Sequence, residues 1–141
     1  LADVTAEEMR ELVRAAHVAC LATIDSQGAP HLVPFCYALA EEGDVLFSAV
    51  DRKPKRTADL RRLHHIAADP RVCVLIDHYE DDWNRLWWVR LDGQASLLDP
   101  GTEADQALDA LAAKYSQYRT DRPPGPVMRI EIGRWAGWSA V

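Results

Sequence analysis

His17-Val18-Ala19-Cys20-Leu21-Ala22-Thr23-Ile24-Asp25-Ser26-Gln27-Gly28-Ala29-Pro30-His31-Leu32-Val33-Pro34-Phe35-Cys36-Tyr37-Ala38-Leu39 is the stretch from which the fold is read. Two apolar, β-compatible runs, 17–24 and 31–39, flank Asp25-Ser26-Gln27-Gly28, where the glycine is free to take a positive φ. This pattern predicts a hairpin closed by a loop of roughly four to six residues. Pro30 and Pro34 cannot donate to a ladder, so they mark a strand end, an edge or a bulge.

Working downstream, Glu41-Glu42-Gly43-Asp44 reads as a second turn, and 45–50 as a third strand. Along it Val45, Phe47 and Ala49 alternate with Leu46 and Ser48. Short turns impose antiparallel pairing. Further strands are expected at 72–79, at 86–98 with a bend at Gly93, and at 127–140. Upstream, Thr5-Ala6-Glu7-Glu8 has the form of a capping box, and Met9, Leu12, Val13 and Ala16 recur at helical spacing over 6–16. Helices are also expected over 57–67, with Leu60, Leu63 and Ile66 on one face, and over 102–115, with Ala107, Leu108, Leu111 and Ala112 inward. Asp69-Pro70 stops the former. The expected architecture is one domain, 1–141, mainly β: a six-stranded antiparallel barrel, closed or split, with short flanking helices.

With 141 residues and 48% of them hydrophobic, the chain can bury a real core. Its net charge of −6 argues against nucleic acid and against an anionic membrane as partners. Cys20, Cys36 and Cys73 are odd in number, widely spaced and set in apolar runs. They read as buried thiols of a reducing compartment, neither a disulfide framework nor a zinc site. No apolar run spans a bilayer, and Leu1-Ala2-Asp3-Val4 lacks a signal-peptide pattern, so the expected location is the cytoplasm.

Asp51-Arg52-Lys53-Pro54-Lys55-Arg56-Thr57 sets four cations within five positions where a strand meets a helix N-terminus. The free N–H groups of that terminus, with the hydroxyls of Ser48 and Thr57, suit a phosphate or polycarboxylate. The alternative is a solvated basic turn paired with Glu80-Asp81-Asp82. Trp87 and Trp88 face opposite ways on a strand, one toward the core, the other toward a partner or a flat ligand; the alternative, favoured for any single Trp, is that both are packing residues. Trp135 and Trp138 are likewise expected on opposite faces. The five histidines fit no zinc spacing, and there is no nucleophile elbow, dinucleotide fingerprint or P-loop. Chemistry, if present, comes from a bound cofactor.

Four segments resemble the pyridoxamine 5′-phosphate oxidase-like split-barrel flavoproteins: Cys20–Ile24 with Gly28–Pro34, Phe47-Ser48 with Lys55-Arg56-Thr57, Ala67-Ala68-Asp69-Pro70-Arg71-Val72, and Trp88–Ala95. More narrowly, Val50–Arg56 and Asp77–Trp83 with Arg85–Arg90 are similar to the actinobacterial branch of F420-dependent oxidoreductases. The resemblance covers nearly the whole chain and implies an FMN-binding type of split barrel, a homodimer with cofactor sites at the subunit interface, and a small-molecule substrate. It implies that Lys55, with Ser48, Lys53, Arg56 and Thr57 nearby, contacts the cofactor phosphate or the acidic tail beyond it. Thr23, Pro30, His31, Leu32 and Val33 are implied along the ring system. His78, Trp87 and Trp88 are implied to close the site, from the second subunit. The added cations favour F420, a deazaflavin with a phosphodiester and a glutamate tail, over FMN. The C-terminal segment, Ile132–Val141, lacks the basic substrate-binding pattern of the oxidases proper, which disfavours vitamin B6 oxidation. The expected activity is hydride transfer between F420 and a small organic molecule. An FMN-dependent oxidoreductase and a flavin or haem carrier, with His31 and His78 as candidate iron ligands, are the alternatives.

Overall fold

The computed structural model describes residues 2–50 and 57–140. Helix α1 (Ala6–Ala15) starts where the capping signal sits: Thr5 Oγ1 accepts from the Glu8 N–H at 3.1 Å, and Met9 and Val13 are buried. Strands follow as β1 (Ala2–Asp3), β2 (Ala19–Ile24), β3 (Pro30–Phe35), β4 (Ala38–Leu39), β5 (Val45–Ala49), β6 (Arg71–His78), β7 (Trp87–Leu98) and β8 (Val127–Ser139). The remaining helices are α2 (Thr57–Ala68), α3 (Thr102–Lys114) and α4 (Ser116–Thr120).

All described pairings are antiparallel, in the order β3-β2-β6-β7-β8-β5-β4, with β1 added beside β8. The proline-bearing β3 is an edge strand, as expected. Only Cys36 and Tyr37 separate β3 from β4, so the chain joins the two edges of the sheet and curls it into a split barrel.

Two expectations are corrected. Seven strands, not six, lie along the main path, because the 31–39 run breaks at Cys36-Tyr37. The cause is tertiary: the Tyr115 hydroxyl accepts the Tyr37 N–H at 3.1 Å and lies 3.0 Å from the Tyr37 carbonyl, taking backbone groups a ladder would otherwise use. The cysteines are half-buried, not buried, since Cys20 and Cys73 point to the outer face of the sheet. Burial, with Asp92 beside it, still pushes the Cys73 thiol up to about 11. Beyond these, α4 adds a short helix after the expected one.

The main core fills the barrel with Leu21, Val74, Ile76, Val89, Leu91 and Ile130, and Met9 and Val13 of α1 pack onto it. A second cluster joins Phe47 and Val127 to Ala104 and Ala107 of α3. This explains why β5 is buried on both faces: Leu46 enters the barrel while Phe47 meets α3. The expected bend at Gly93 is a register shift between Asp92 and Gly93, and a Cβ at Gly93 would collide with the Glu131 carbonyl oxygen. On the outer face the register aligns Leu32, Ala22, Cys73, Asp92 and Arg134 in one row, and Pro34, Cys20, Leu75, Arg90 and Ala136 in the next. Trp88 lies opposite Trp138 on the same face, and Trp135 packs inward against the core. Among the described residues no helix is long and apolar enough to cross a membrane.

Candidate functional site

The β2–β3 hairpin pairs Thr23 with His31 on the inward face. Its turn is held by Asp25, whose Oδ1 accepts the N–H groups of Gln27 and Ala29, each at 2.9 Å, and Gly28 takes φ +82°. The backbone bond from Ala29, then that from Gln27 and the His31 ring, hold the Asp25 carboxyl below its ordinary range. Asp25 Oδ2 in turn lies 3.2 Å from His31 Nε2. Helix α2 lies across this end of the hairpin. His65 Nδ1 lies 2.8 Å from Oγ1 of the buried Thr23, and the His65 and His31 rings are 4.6 Å apart between centroids. With Leu32, Val33, Arg61 and Arg62 these groups line a cleft of about 130 Å³.

The model of the pyridoxamine 5′-phosphate oxidase family matches residues 5–139. The chain belongs to that family. Solved structures share the fold. A FAD-binding protein from Mesorhizobium loti superposes with a TM-score of 0.70 at 23% identity, covering 96% of this chain and 93% of its own. A conserved hypothetical protein from Mycobacterium tuberculosis gives 0.70 at 21% identity, covering 97% and 86%. The haem storage protein HutZ from Vibrio cholerae gives 0.70 at 16% identity, covering 94% and 92%. No curated protein matches the chain.

In this family member the residues expected along the ring system are largely brought together: Thr23, His31, Leu32 and Val33 share the cleft. Pro30 does not join them. It borders an adjoining cleft of about 330 Å³ with Ile24, Arg71 and Asp92, and Thr23 is the residue common to both. Lys53, Lys55 and Arg56, together with the Thr57 side chain, lie outside the described residues. Ser48 is buried on β5, and its hydroxyl donates to the Cys36 carbonyl at 2.8 Å. His78 is hydrogen-bonded to Glu80, which also meets Arg85 Nε at 3.4 Å. Trp87 packs half-buried against the core, and Trp88 points outward beneath the Arg90 guanidinium, 5.6 Å from the ring centroid. Ala22 pairs with Cys73, so Thr23 sits near the start of β6, whereas His78 ends that strand. Within one chain the two sets are therefore about 20 Å apart, at about 3.3 Å per residue.

Asp25, Arg61, Arg62 and His65 were not anticipated as site residues. A usable signal existed on α2, where His65 follows Arg61 by four positions and Arg62 by three, putting them on one face. The donor set, two imidazoles, two guanidiniums and a hydroxyl, fits an anionic heteroaromatic group. The cleft bounded by the described residues is smaller than the ~300–1,000 Å³ typical of small-molecule sites.

Proposed function

We propose that this split barrel binds a phosphorylated deazaflavin, F420, or in the alternative FMN, in a site completed by a second copy of the chain, and that it transfers hydride between that cofactor and a small organic molecule. One observation carries the reading: Thr23, His31, Leu32 and Val33 converge on a cleft whose other wall is the cationic face of α2, directly after the run Arg52-Lys53-Pro54-Lys55-Arg56. Local positive charge in a chain of net −6 suits a ligand with a phosphodiester and a carboxylate tail. Lys53, Lys55, Arg56 and Thr57 would hold that end, and Thr23, His31, Leu32 and Val33 would border the rings.

Size and surface support a second copy. The cleft bounded by the described residues is small beside a tricycle, and Leu32 (68% exposed), Leu75 and Trp88 lie on the open outer face of the sheet, with Arg90 and Asp92 among them. If the copies meet there, His78 and the Trp87-Trp88 end of one chain can reach the cleft of the other, which the separation of about 20 Å along β6 forbids within one chain. The cofactor supplies the hydride chemistry. The protein orients it, screens its charge and excludes water.

The test is titration of the purified chain with F420 and with FMN, followed by tryptophan quenching and cofactor anisotropy. Tighter F420 binding that weakens as salt rises supports the reading. Preference for FMN selects the alternative. Binding of neither, with an intense Soret band on addition of haem, makes the chain a tetrapyrrole carrier and removes the oxidoreductase assignment.

A further inference from the structure

We propose that His31, held by Asp25 and set beside the His65 ring, is the proton donor of the reduction carried out at this cleft; this rests on the cofactor reading above. Adding a hydride to a neutral organic acceptor leaves an anion that needs a proton. Among the described residues, the groups that face His31 are few. Asp25 comes from the hairpin turn, Thr23 from β2, and Arg61, Arg62 and His65 from α2. Guanidiniums do not release protons in proteins, and Asp25 is ionised. Imidazole is the side chain that exchanges a proton near neutrality, which leaves the two histidines. They are not equivalent. His65 is tied through Nδ1 to the buried Thr23 hydroxyl, a contact that fixes the ring in the wall of the cleft. His31 engages Asp25 through Nε2, its Nδ1 has no hydrogen-bond partner among the described residues, and its side chain is 40% exposed.

This arrangement defines a cycle. As imidazolium, His31 keeps Nε2–H on the Asp25 carboxylate and offers Nδ1–H to the cleft. The reduced deazaflavin, when bound, would supply the hydride and so lose two electrons to the acceptor. The anion so formed takes the Nδ1 proton, and a neutral Nε2–H imidazole remains. Solvent returns a proton to His31 and receives the one that oxidation of the cofactor releases. Asp25 acts as a positioning residue, since it fixes the tautomer without touching the acceptor.

The experiment uses the wild-type chain, His31→Gln and Asp25→Asn. F420 titration of each comes first. Reduced F420 is then mixed with menadione, a quinone acceptor, at saturating cofactor across the neutral pH range, so that altered affinity does not enter the rates. Long-range ¹H–¹⁵N spectra of the cofactor-free proteins report which ring nitrogen of His31 carries the proton. The wild-type rate is expected to fall as pH rises. His31→Gln is expected to be slower by at least about tenfold and to lose that dependence. The spectra should show Nε2–H in the wild type and a mixture of tautomers in Asp25→Asn. A wild-type rate and pH profile in His31→Gln overturns the proton-donor assignment and leaves the cofactor reading standing. An Nδ1–H tautomer in the wild type overturns the geometry behind it. Failure of the wild type to bind F420 removes the cofactor reading and the assignment with it.

Discussion

Lys114 shows how a single residue can register its surroundings. Its ammonium is buried, has no hydrogen-bond partner among the described residues, and lies 3.9 Å from the Tyr37 ring centroid. The ring face favours the cation, but burial pushes the amine down from 10.5 to about 8. Between about pH 8 and 10 the unfolded chain therefore binds more protons at this site than the folded one, so the contribution of Lys114 makes stability rise with pH. Lys114→Met is expected to flatten that rise in urea unfolding measured at the two ends of the window, and to raise stability at the lower end, where the folded state still buries a cation. For Lys55→Ala the expectation is different in kind. F420 affinity is expected to fall about tenfold or more as a charge-assisted bond is lost, with the cofactor-free protein still folded in its melting curve. Unchanged affinity would remove Lys55 from the proposed phosphate site.

At the level of elements, two contacts decide how strands and helices meet. The Tyr37 hydroxyl donates to the Val13 carbonyl at 2.5 Å and lies 3.1 Å from the Ala16 carbonyl, closing the C-terminal end of α1 against the β3–β4 connection. Tyr37→Phe leaves these carbonyls without that donor and is expected to cost about 1–3 kcal/mol in chemical denaturation. Gly93 is the point where β7 shifts register against β8, and the space for a side chain is occupied by backbone. Gly93→Ala must move β8 or break the bulge, with an expected loss of about 1–3 kcal/mol. A thermal midpoint equal to that of the wild type would show that the close approach relaxes without cost.

For the whole molecule, the test is assembly. If two copies meet through the outer face of β2, β6 and β7, Leu75→Asp places a charge among Cys20, Arg90 and the Trp88 row, and the dimer should dissociate in sedimentation. F420 binding should weaken with it, because half of each proposed site comes from the partner. A Leu75→Asp protein that stays dimeric and binds F420 normally would move the interface elsewhere.

Features encoded within a few residues were legible in the sequence. The Thr5 cap, the Asp25–Gly28 turn, the edge prolines, the break at Gly93 and the opposite facing of Trp135 and Trp138 all follow from capping, turn chemistry and the two-residue period of a strand. Family resemblance added Thr23, His31, Leu32 and Val33 as a set. Contacts between distant residues were decided by the tertiary structure alone. Tyr115 reaches Tyr37 across 78 positions and divides a strand that local pattern reads as continuous, and His65 reaches Thr23 across 42. Hydrophobic period and turn chemistry say which way a side chain points. What it meets there depends on the path of the whole barrel, which is why Asp25, His31 and His65 become neighbours only once the hairpin and α2 are packed together.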